Sequence, residues 1–297
     1  NKKILKASII LIVATLVLCV GTSFYLKLDK PVFLMSYMDQ NIPVFDTGYY
    51  GNVEFQLRYI TNASDTRMVN HIEFPEVANF RGYATETAGH FFNFFNNVNN
   101  QNQGKQVGPY SIRTIYVQLL PTQDNRVSDE VLDEEFRLTK ARVYFNNGEE
   151  MDIDLGEIAL YGYRNSSENI DFMSGSSSSD GTSSTQMKPL KDLTLLRVES
   201  PLLSKFRHLI ELKINGTDYD KVSGISFNKE DDLNISSKFK EPEDILERFN
   251  DYNIHPKLYF EDSEGNTFIH RIYNIDYQNY SFEFMDIIKY LRARGEL

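Results

Sequence analysis

The stretch INGTDYDKVSGISF, residues 214–227, is the second of two related passages in the chain. The first, ITNASDTRMVNHIEF, covers residues 60–74 and matches it at one constant offset without a gap. Each passage runs from an apolar segment through a polar turn into a second apolar segment. Such a recurrence predicts one supersecondary unit used twice. The matched pairs are Asn62 with Asn215, Asp65 with Asp218, Val69 with Val222, Ile72 with Ile225 and Phe74 with Phe227.

The segments around these passages have the alternation that is typical of half-buried strands. In VEFQLRYI, residues 53–60, apolar and polar side chains alternate. Two hairpins are predicted further on, one turning at Asn147 and Gly148 and one within residues 262–266. The tripeptide VYF before the first turn corresponds to LYF before the second, at a smaller offset than the opening pair. This difference indicates an insertion in the first copy, within residues 91–105.

These patterns predict an all-β protein with two tandem β-sandwich domains of immunoglobulin-like type. The first domain is expected to span residues 52–163, and the second, which ends in a helix, residues 191–297. A linker or loop rich in serine and glycine is predicted at 164–190, because a segment with so few apolar residues buries little surface. Other short helices are expected in the connections between strands.

The N-terminal segment predicts a membrane anchor over residues 1–28. Residues 7–26 carry no charge, and a helix of about 20 residues spans the hydrocarbon layer of a bilayer. Lysines precede the apolar run, so the positive-inside rule places the N-terminus in the cytoplasm and the rest of this single-pass protein outside the cell. A cleaved signal peptide is the alternative. Residues 29–51, which include Pro31 and Pro43, are expected to form a stalk.

The charge and cysteine content of the chain restrict the kinds of molecule that it is expected to bind. The net charge of the 297-residue chain is -11, and a diffuse acidic surface repels the phosphates of nucleic acids. The single cysteine, Cys19, lies in the apolar N-terminal run, so neither a disulfide nor a cysteine-ligated metal is predicted in the remainder. The expected partners are therefore the lipid bilayer, through residues 7–26, and a protein or polymer of the cell surface.

An aromatic cluster beside an asparagine-rich segment is the best candidate for a contact loop. Exposed aromatic side chains next to a polar loop are common at recognition surfaces. The alternative interpretation is a group of core residues followed by a hairpin excursion. The candidate residues are Phe91, Phe92, Phe94, Phe95, Asn96 and Asn97.

The sequence contains no recognisable catalytic or cofactor motif. Phosphate-binding, dinucleotide-binding, zinc-protease and serine-nucleophile signatures are missing, and the five histidines are widely spaced. We therefore predict no catalytic residue, no metal and no cofactor. The favoured function is a membrane-anchored extracellular binding protein that is not an enzyme. The alternatives are a surface hydrolase or carbohydrate-active enzyme on a β scaffold, and a structural spacer of a membrane complex.

Overall fold

The computed structural model describes residues 2–44, 51–77, 80–86, 104–121, 135–163 and 169–297. Strands dominate these residues, and the helices are few, so the prediction of a mainly β protein is confirmed. The helices are α1 (Lys2–Tyr25), α2 (Pro201–Lys205), α3 (Ile245–Phe249) and α4 (Phe284–Ala293). The first nine strands are β1 (Val32–Phe33), β2 (Ser36–Pro43), β3 (Val53–Asn62), β4 (Val69–Glu73), β5 (Phe80–Thr85), β6 (Lys105–Val107), β7 (Tyr110–Pro121), β8 (Glu135–Phe145) and β9 (Glu150–Tyr163).

The later strands follow one another closely along the chain, with short turns between most of them. They are β10 (Ile170–Ser177), β11 (Thr182–Pro189), β12 (Leu193–Glu199), β13 (Ile210–Ile214), β14 (Thr217–Asp218), β15 (Ile225–Phe227), β16 (Leu233–Phe239), β17 (Asp251–Ile254), β18 (Lys257–Asp262), β19 (Thr267–Arg271) and β20 (Ile275–Tyr277).

Helix α1 is apolar along most of its length. Its segment Ile4–Thr22 has a mean hydropathy of 2.6 and no buried residues, and it is long enough to cross a membrane. A signal sequence has the same length and composition.

The largest sheet has eleven strands, in the order β1, β3, β7, β5, β4, β8, β9, β2, β17 and β20, with β6 paired to β7. It curls around a single apolar core, because side chains from β2, near one end, share that core with side chains from β3, near the other. Strand β2 runs parallel to both β9 and β17. Gly156 of β9 permits a close approach to β2, since a Cβ there would lie 2.7 Å from the carbonyl oxygen of Ser36.

Two smaller sheets enclose a second core. The five-stranded sheet has the order β10, β11, β16, β13 and β14, and the four-stranded sheet the order β15, β12, β18 and β19. Leu212 and Ile235 of the first sheet are buried in the same cluster as Leu195 and Phe260 of the second. Buried and exposed residues alternate along β16, because one side of the strand faces the other sheet and the opposite side faces solvent.

A third cluster lies where α1 meets the body of the protein. Phe249 of α3 is fully buried between the rings of Phe282 and Tyr290, with centroid distances of 4.3 and 4.2 Å. The inward face of α4 supplies Ile287 and Leu291, as the helical spacing in the sequence predicts. This cluster holds the C-terminal helix against the start of the β structure.

The predicted stalk is different in the structure. Within residues 29–51, the described part forms β1 and β2, and β2 lies between β9 and β17 in the large sheet. The two prolines do not prevent this, because Pro31 precedes β1 and Pro43 is the last residue of β2. Apolar residues such as Leu34 and Ile42 are buried there, so this segment belongs to the core.

The predicted linker is also different. Residues 170–177 and 182–189 form the antiparallel pair β10 and β11, and β11 continues the sheet by pairing with β16. Seven of the eight residues of β10 are exposed, starting at Asp171. The strands pair through backbone hydrogen bonds, which do not depend on apolar side chains. The serine-rich composition carries no sign of such pairing, and for this reason it suggested a loop.

The repeated passages occupy locally similar positions. Phe74 and Phe227 are both buried, as are Val69 and Val222. Their surroundings differ, however, because β3 and β4 belong to one sheet, whereas β13 and β15 belong to the two facing sheets.

The matching asparagines of the two passages each bond to the backbone of another segment. Asn62 accepts a hydrogen bond from the backbone N–H of Leu28 and donates one to its carbonyl, at 3.0 and 2.7 Å. Asn215 accepts from the N–H of Asn234 at 2.7 Å and donates to the carbonyl of Asp232 at 2.9 Å.

The division of the chain into two domains stays a prediction. The pairing of β17 with β2 places part of segment 191–297 in the large sheet.

Candidate functional site

A groove of about 500 Å³ lies where strands from the first and last thirds of the chain meet. We call it the seam groove. Strands β2 and β3 supply one side, and β17, β20 and the residues before and after β20 supply the other. It is lined by Met38, Gln40, Phe55, Gln56, Asp251, Tyr252, Asn253, His255, Tyr273, Asn274, Asp276, Gln278 and Tyr280.

Amide and tyrosine side chains provide most of the polar lining. Gln56 and Asn274 are exposed, and Tyr280 has an exposed fraction of 70%. Each amide offers both donors and an acceptor, so such a surface can bond to ligand hydroxyls in either sense. Asn274 has φ 66°, a left-handed conformation that asparagine tolerates better than most residues.

One residue of the groove lining, Asp251, belongs to a buried ion pair with Arg58. Arg58 of β3 and Asp251 of β17 are buried, with side-chain exposures of 4% and 7%. The Arg58 Nε donates to Asp251 Oδ2 at 3.0 Å, and Nη2 donates to Oδ1. Burial raises the pKa of Asp251, while the guanidinium opposes that rise. The pair joins residues that are 193 positions apart in the sequence.

The segment after β20 is fastened by two cations. Arg58 also donates through Nη1 to the carbonyl oxygen of Asn279, and Lys105 Nζ donates to that of Tyr280 at 2.9 Å. Gln278 and Tyr280, which line the seam groove, are therefore held by β3 and β6. A neighbouring pocket of about 260 Å³ shares Gln56, Gln278 and Tyr280 with it.

A buried histidine lies at the other end of the groove. His255 Nδ1 lies 2.8 Å from the hydroxyl of Tyr161, and Nε2 lies 3.1 Å from Oδ1 of Asn253. A neutral imidazole protonated on Nε2 satisfies both contacts. Burial lowers the pKa of His255 to about 3, with a further lowering from the Arg271 cation.

The carboxyl group of Asp39, beside this histidine, has a raised pKa. Asp39 Oδ2 accepts the backbone N–H of His255 at 2.8 Å. Burial raises the pKa of Asp39 to about 6, although this hydrogen bond and the Arg271 cation oppose the rise. Arg271 itself is held by Glu135, whose Oε1 accepts from Nη2 at 3.0 Å, and its guanidinium lies 3.5 Å from the centre of the Tyr161 ring.

Replacing His255 with glutamine is expected to make folding less sensitive to acid. In the unfolded chain the imidazole has a pKa of about 6.5, whereas in the folded protein its pKa is about 3. Between these two pH values the unfolded state binds a proton at this residue and the folded state does not. Stability from this residue is therefore lost as the pH falls, by about 2 kcal/mol between about pH 8 and about pH 5. Asp39 contributes with the opposite sign over part of this range, and both proteins retain that contribution.

Urea unfolding of the two proteins at the two pH values measures this difference. The free energy of unfolding of the wild type is expected to fall by about 2 kcal/mol more than that of His255→Gln. The exposed His208 supplies a control, and His208→Gln is expected to follow the wild type. An equal fall for wild type and His255→Gln would contradict the assignment of a neutral, buried imidazole.

The residues selected from the sequence and the residues that line the seam groove are different residues. The predicted contact loop, Phe91 to Asn97, lies outside the described residues. None of the residues lining the seam groove was selected from the sequence. One feature of the sequence could have indicated this region. The segment YNIDYQNY, residues 273–280, is rich in amide and tyrosine side chains.

Within the residues described, no group of three or more histidine, cysteine, aspartate or glutamate side chains is arranged to hold a metal ion.

Comparison with known proteins gives little. No protein-family model matches the chain, and no curated protein matches it by sequence. Among solved structures, the chain is similar to the fibronectin(III)-like modules of Clostridium thermocellum CbhA, with 7% identity and a TM-score of 0.19. That alignment covers 85% of this chain and 100% of the other. A TM-score of this size carries no argument about fold or function.

Proposed function

We propose that the chain is a membrane-anchored binding protein that holds a polyhydroxylated polymer of the cell surface, a glycan, in the seam groove. Helix α1 is the single-pass anchor, its N-terminus is cytoplasmic, and the β structure, arranged as two sandwich-like lobes, lies outside the cell. The observation that carries the proposal is the lining of the groove, in which amides and tyrosines outnumber charged groups.

This lining suits a neutral ligand with many hydroxyl groups. The amide side chains of the lining each carry N–H donors and one carbonyl acceptor, although the oxygen of Asn253 is already bonded to His255. These side chains are Gln40, Gln56, Asn253, Asn274 and Gln278. Tyrosine rings add flat apolar surface, which packs against the C–H faces of a sugar ring. No lysine or arginine lines the groove among the described residues, so an anionic ligand is disfavoured.

The carboxylates in the groove favour binding over hydrolysis. Glycoside hydrolysis generally requires two carboxyl groups, one of which must take up and release a proton. Both oxygens of Asp251 accept hydrogen bonds from Arg58, so this carboxylate already has a protein partner. Asp276 is the remaining carboxylate of the described lining, so the groove has no pair of free carboxyl groups among the described residues. A binding role therefore fits the groove better than a catalytic one.

Co-sedimentation with insoluble cell-wall polysaccharides, followed by titration with soluble fragments, tests this function on the full chain in detergent. Replacing both Gln56 and Tyr280 with alanine is expected to weaken glycan binding about 10- to 100-fold, because hydrogen bonds and a ring contact are lost. The matched control replaces Gln186 and Tyr83, which lie outside the groove. Unchanged binding by the groove variant, or no binding to any glycan by the wild type, would refute the proposal.

A further inference from the structure

The end of helix α1 is packed directly against the body of the protein. The hydroxyl of Tyr110 donates to the carbonyl oxygen of Leu26 at 2.8 Å, and Leu28 is buried in the third apolar cluster, to which α4 also contributes. Asn62 then pairs with both backbone groups of Leu28. Only a few residues separate the apolar run from these contacts, so the body has little freedom to move away from a membrane that α1 crosses.

Helix α4 lies beside the same end of α1. The guanidinium of Arg292, in its last turn, is 5.9 Å from the centre of the Tyr25 ring, and Lys30 Nζ is 4.0 Å from the carboxylate of Glu296. Tyr25 follows Thr22, the last residue of the apolar span, by three residues, or about 4.5 Å of helix. The headgroup layer on each side of a bilayer is about 5–7 Å thick, so Arg292 lies at the level of the lipid phosphates.

The exposed face of α4 is basic although the whole chain is acidic. Lys289 and Arg292 are three residues apart and share one face of the helix, and both are exposed. Lys27, the second residue after α1, is exposed as well. Residues 289–294 contain three cations and no acid, whereas the net charge of the chain is -11. Asp286 lies 3.5 Å from Lys289 Nζ and offsets part of the charge.

We infer that Lys27, Lys289 and Arg292 form a basic collar that binds the phosphate headgroups of anionic lipids and so fixes the orientation of the body on the membrane. The inference rests on the proposed anchoring by α1, but not on the ligand of the seam groove. Arg292 lies at the depth of the phosphates, its contact with Tyr25 places α4 over the bilayer, and Lys289 shares its exposed face. Each cation near such a surface gains attraction for anionic lipid. A collar of this kind would hold the seam groove at a constant height above the bilayer.

Thermal unfolding of the full chain in nanodiscs tests the collar. Nanodiscs of phosphatidylcholine alone are compared with nanodiscs that also contain phosphatidylglycerol. The melting temperature of the β structure is expected to be a few degrees higher with the anionic lipid, and the increase is expected to disappear at high salt. Combined replacement Lys27→Gln, Lys289→Gln and Arg292→Gln is expected to abolish the increase.

The control variant replaces three exposed lysines of the smaller sheets and their turns, and it is expected to retain the increase in melting temperature with anionic lipid. Its substitutions are Lys213→Gln, Lys229→Gln and Lys238→Gln. No increase in the wild type, an increase that persists in the collar variant, or an equal increase when inorganic phosphate is added to neutral nanodiscs would each overturn the inference. Failure of the chain to enter nanodiscs would instead overturn the anchoring on which it rests.

Discussion

Replacing Arg58 with methionine is expected to lower the free energy of unfolding by about 3–5 kcal/mol. Methionine keeps much of the volume of the side chain, but it leaves the Asp251 carboxylate buried without a cation. Desolvating an unpaired charge costs far more than the intact pair contributes, so the loss is one of the largest that a single substitution can cause here. Urea unfolding of the full chain in detergent micelles measures it.

A second arginine provides a matched control for this experiment. Arg142 makes the same two-pronged contact with Asp152, at 2.7 and 3.2 Å, but both side chains are exposed. Arg142→Met is therefore expected to change stability little. The defect of Arg58→Met is expected to be smaller at about pH 4 than at about pH 7, because protonation neutralises the unpaired carboxyl group. Equal, small losses in both variants would contradict the structural account of Arg58.

Phe249→Ala is expected to destabilise the protein by about 3–5 kcal/mol as well. The ring is fully buried and stacked between Phe282 and Tyr290, with interplanar angles of 26° and 9°. Alanine would leave a cavity in the small cluster that holds α4, and the surrounding structure relaxes only partly to fill such a cavity. The exposed Phe172 provides the control, since its exposed fraction is 62%.

Thermal unfolding distinguishes these two substitutions. Phe249→Ala is expected to lower the melting temperature by many degrees, and Phe172→Ala by little, because surface substitutions generally change stability by less than about 0.5 kcal/mol. A small shift for Phe249→Ala would mean that α4 is not held by this cluster. In that case the position of the basic collar would also lose its support.

Much of the local structure could be predicted from the sequence because it depends on neighbouring residues. The hairpin turn at Gly148 adopts φ 86°, as an Asn-Gly pair favours. The acids before α3 predict a helix start, and Asp244 accepts hydrogen bonds from the N–H groups of Leu246 and Glu247 at 2.9 and 3.1 Å. The helical spacing near the C-terminus predicts α4 and its buried face.

The seam groove could not be predicted because it depends on contacts between distant parts of the chain. The alternation in residues 53–60 assigns Arg58 to the polar side of a half-buried strand, yet the partner that allows its burial comes from β17. The pairing of β2 with β9 and β17 is parallel and non-local, and no turn signal marks such a pairing. The prolines and serines that suggested a stalk and a linker report only on local backbone preference.

A double-mutant cycle between Arg58 and Asp251 tests the central claim most directly, namely that strands from the two ends of the chain meet in one sheet and build the groove. The cycle compares Arg58→Met, Asp251→Leu and the combined variant by urea unfolding. The account predicts that the double variant is less destabilised than the sum of the single variants by about 2 kcal/mol or more, because neither charge is then left unpaired. Losses that add to within about 0.5 kcal/mol would mean that the residues do not touch, and would contradict the account.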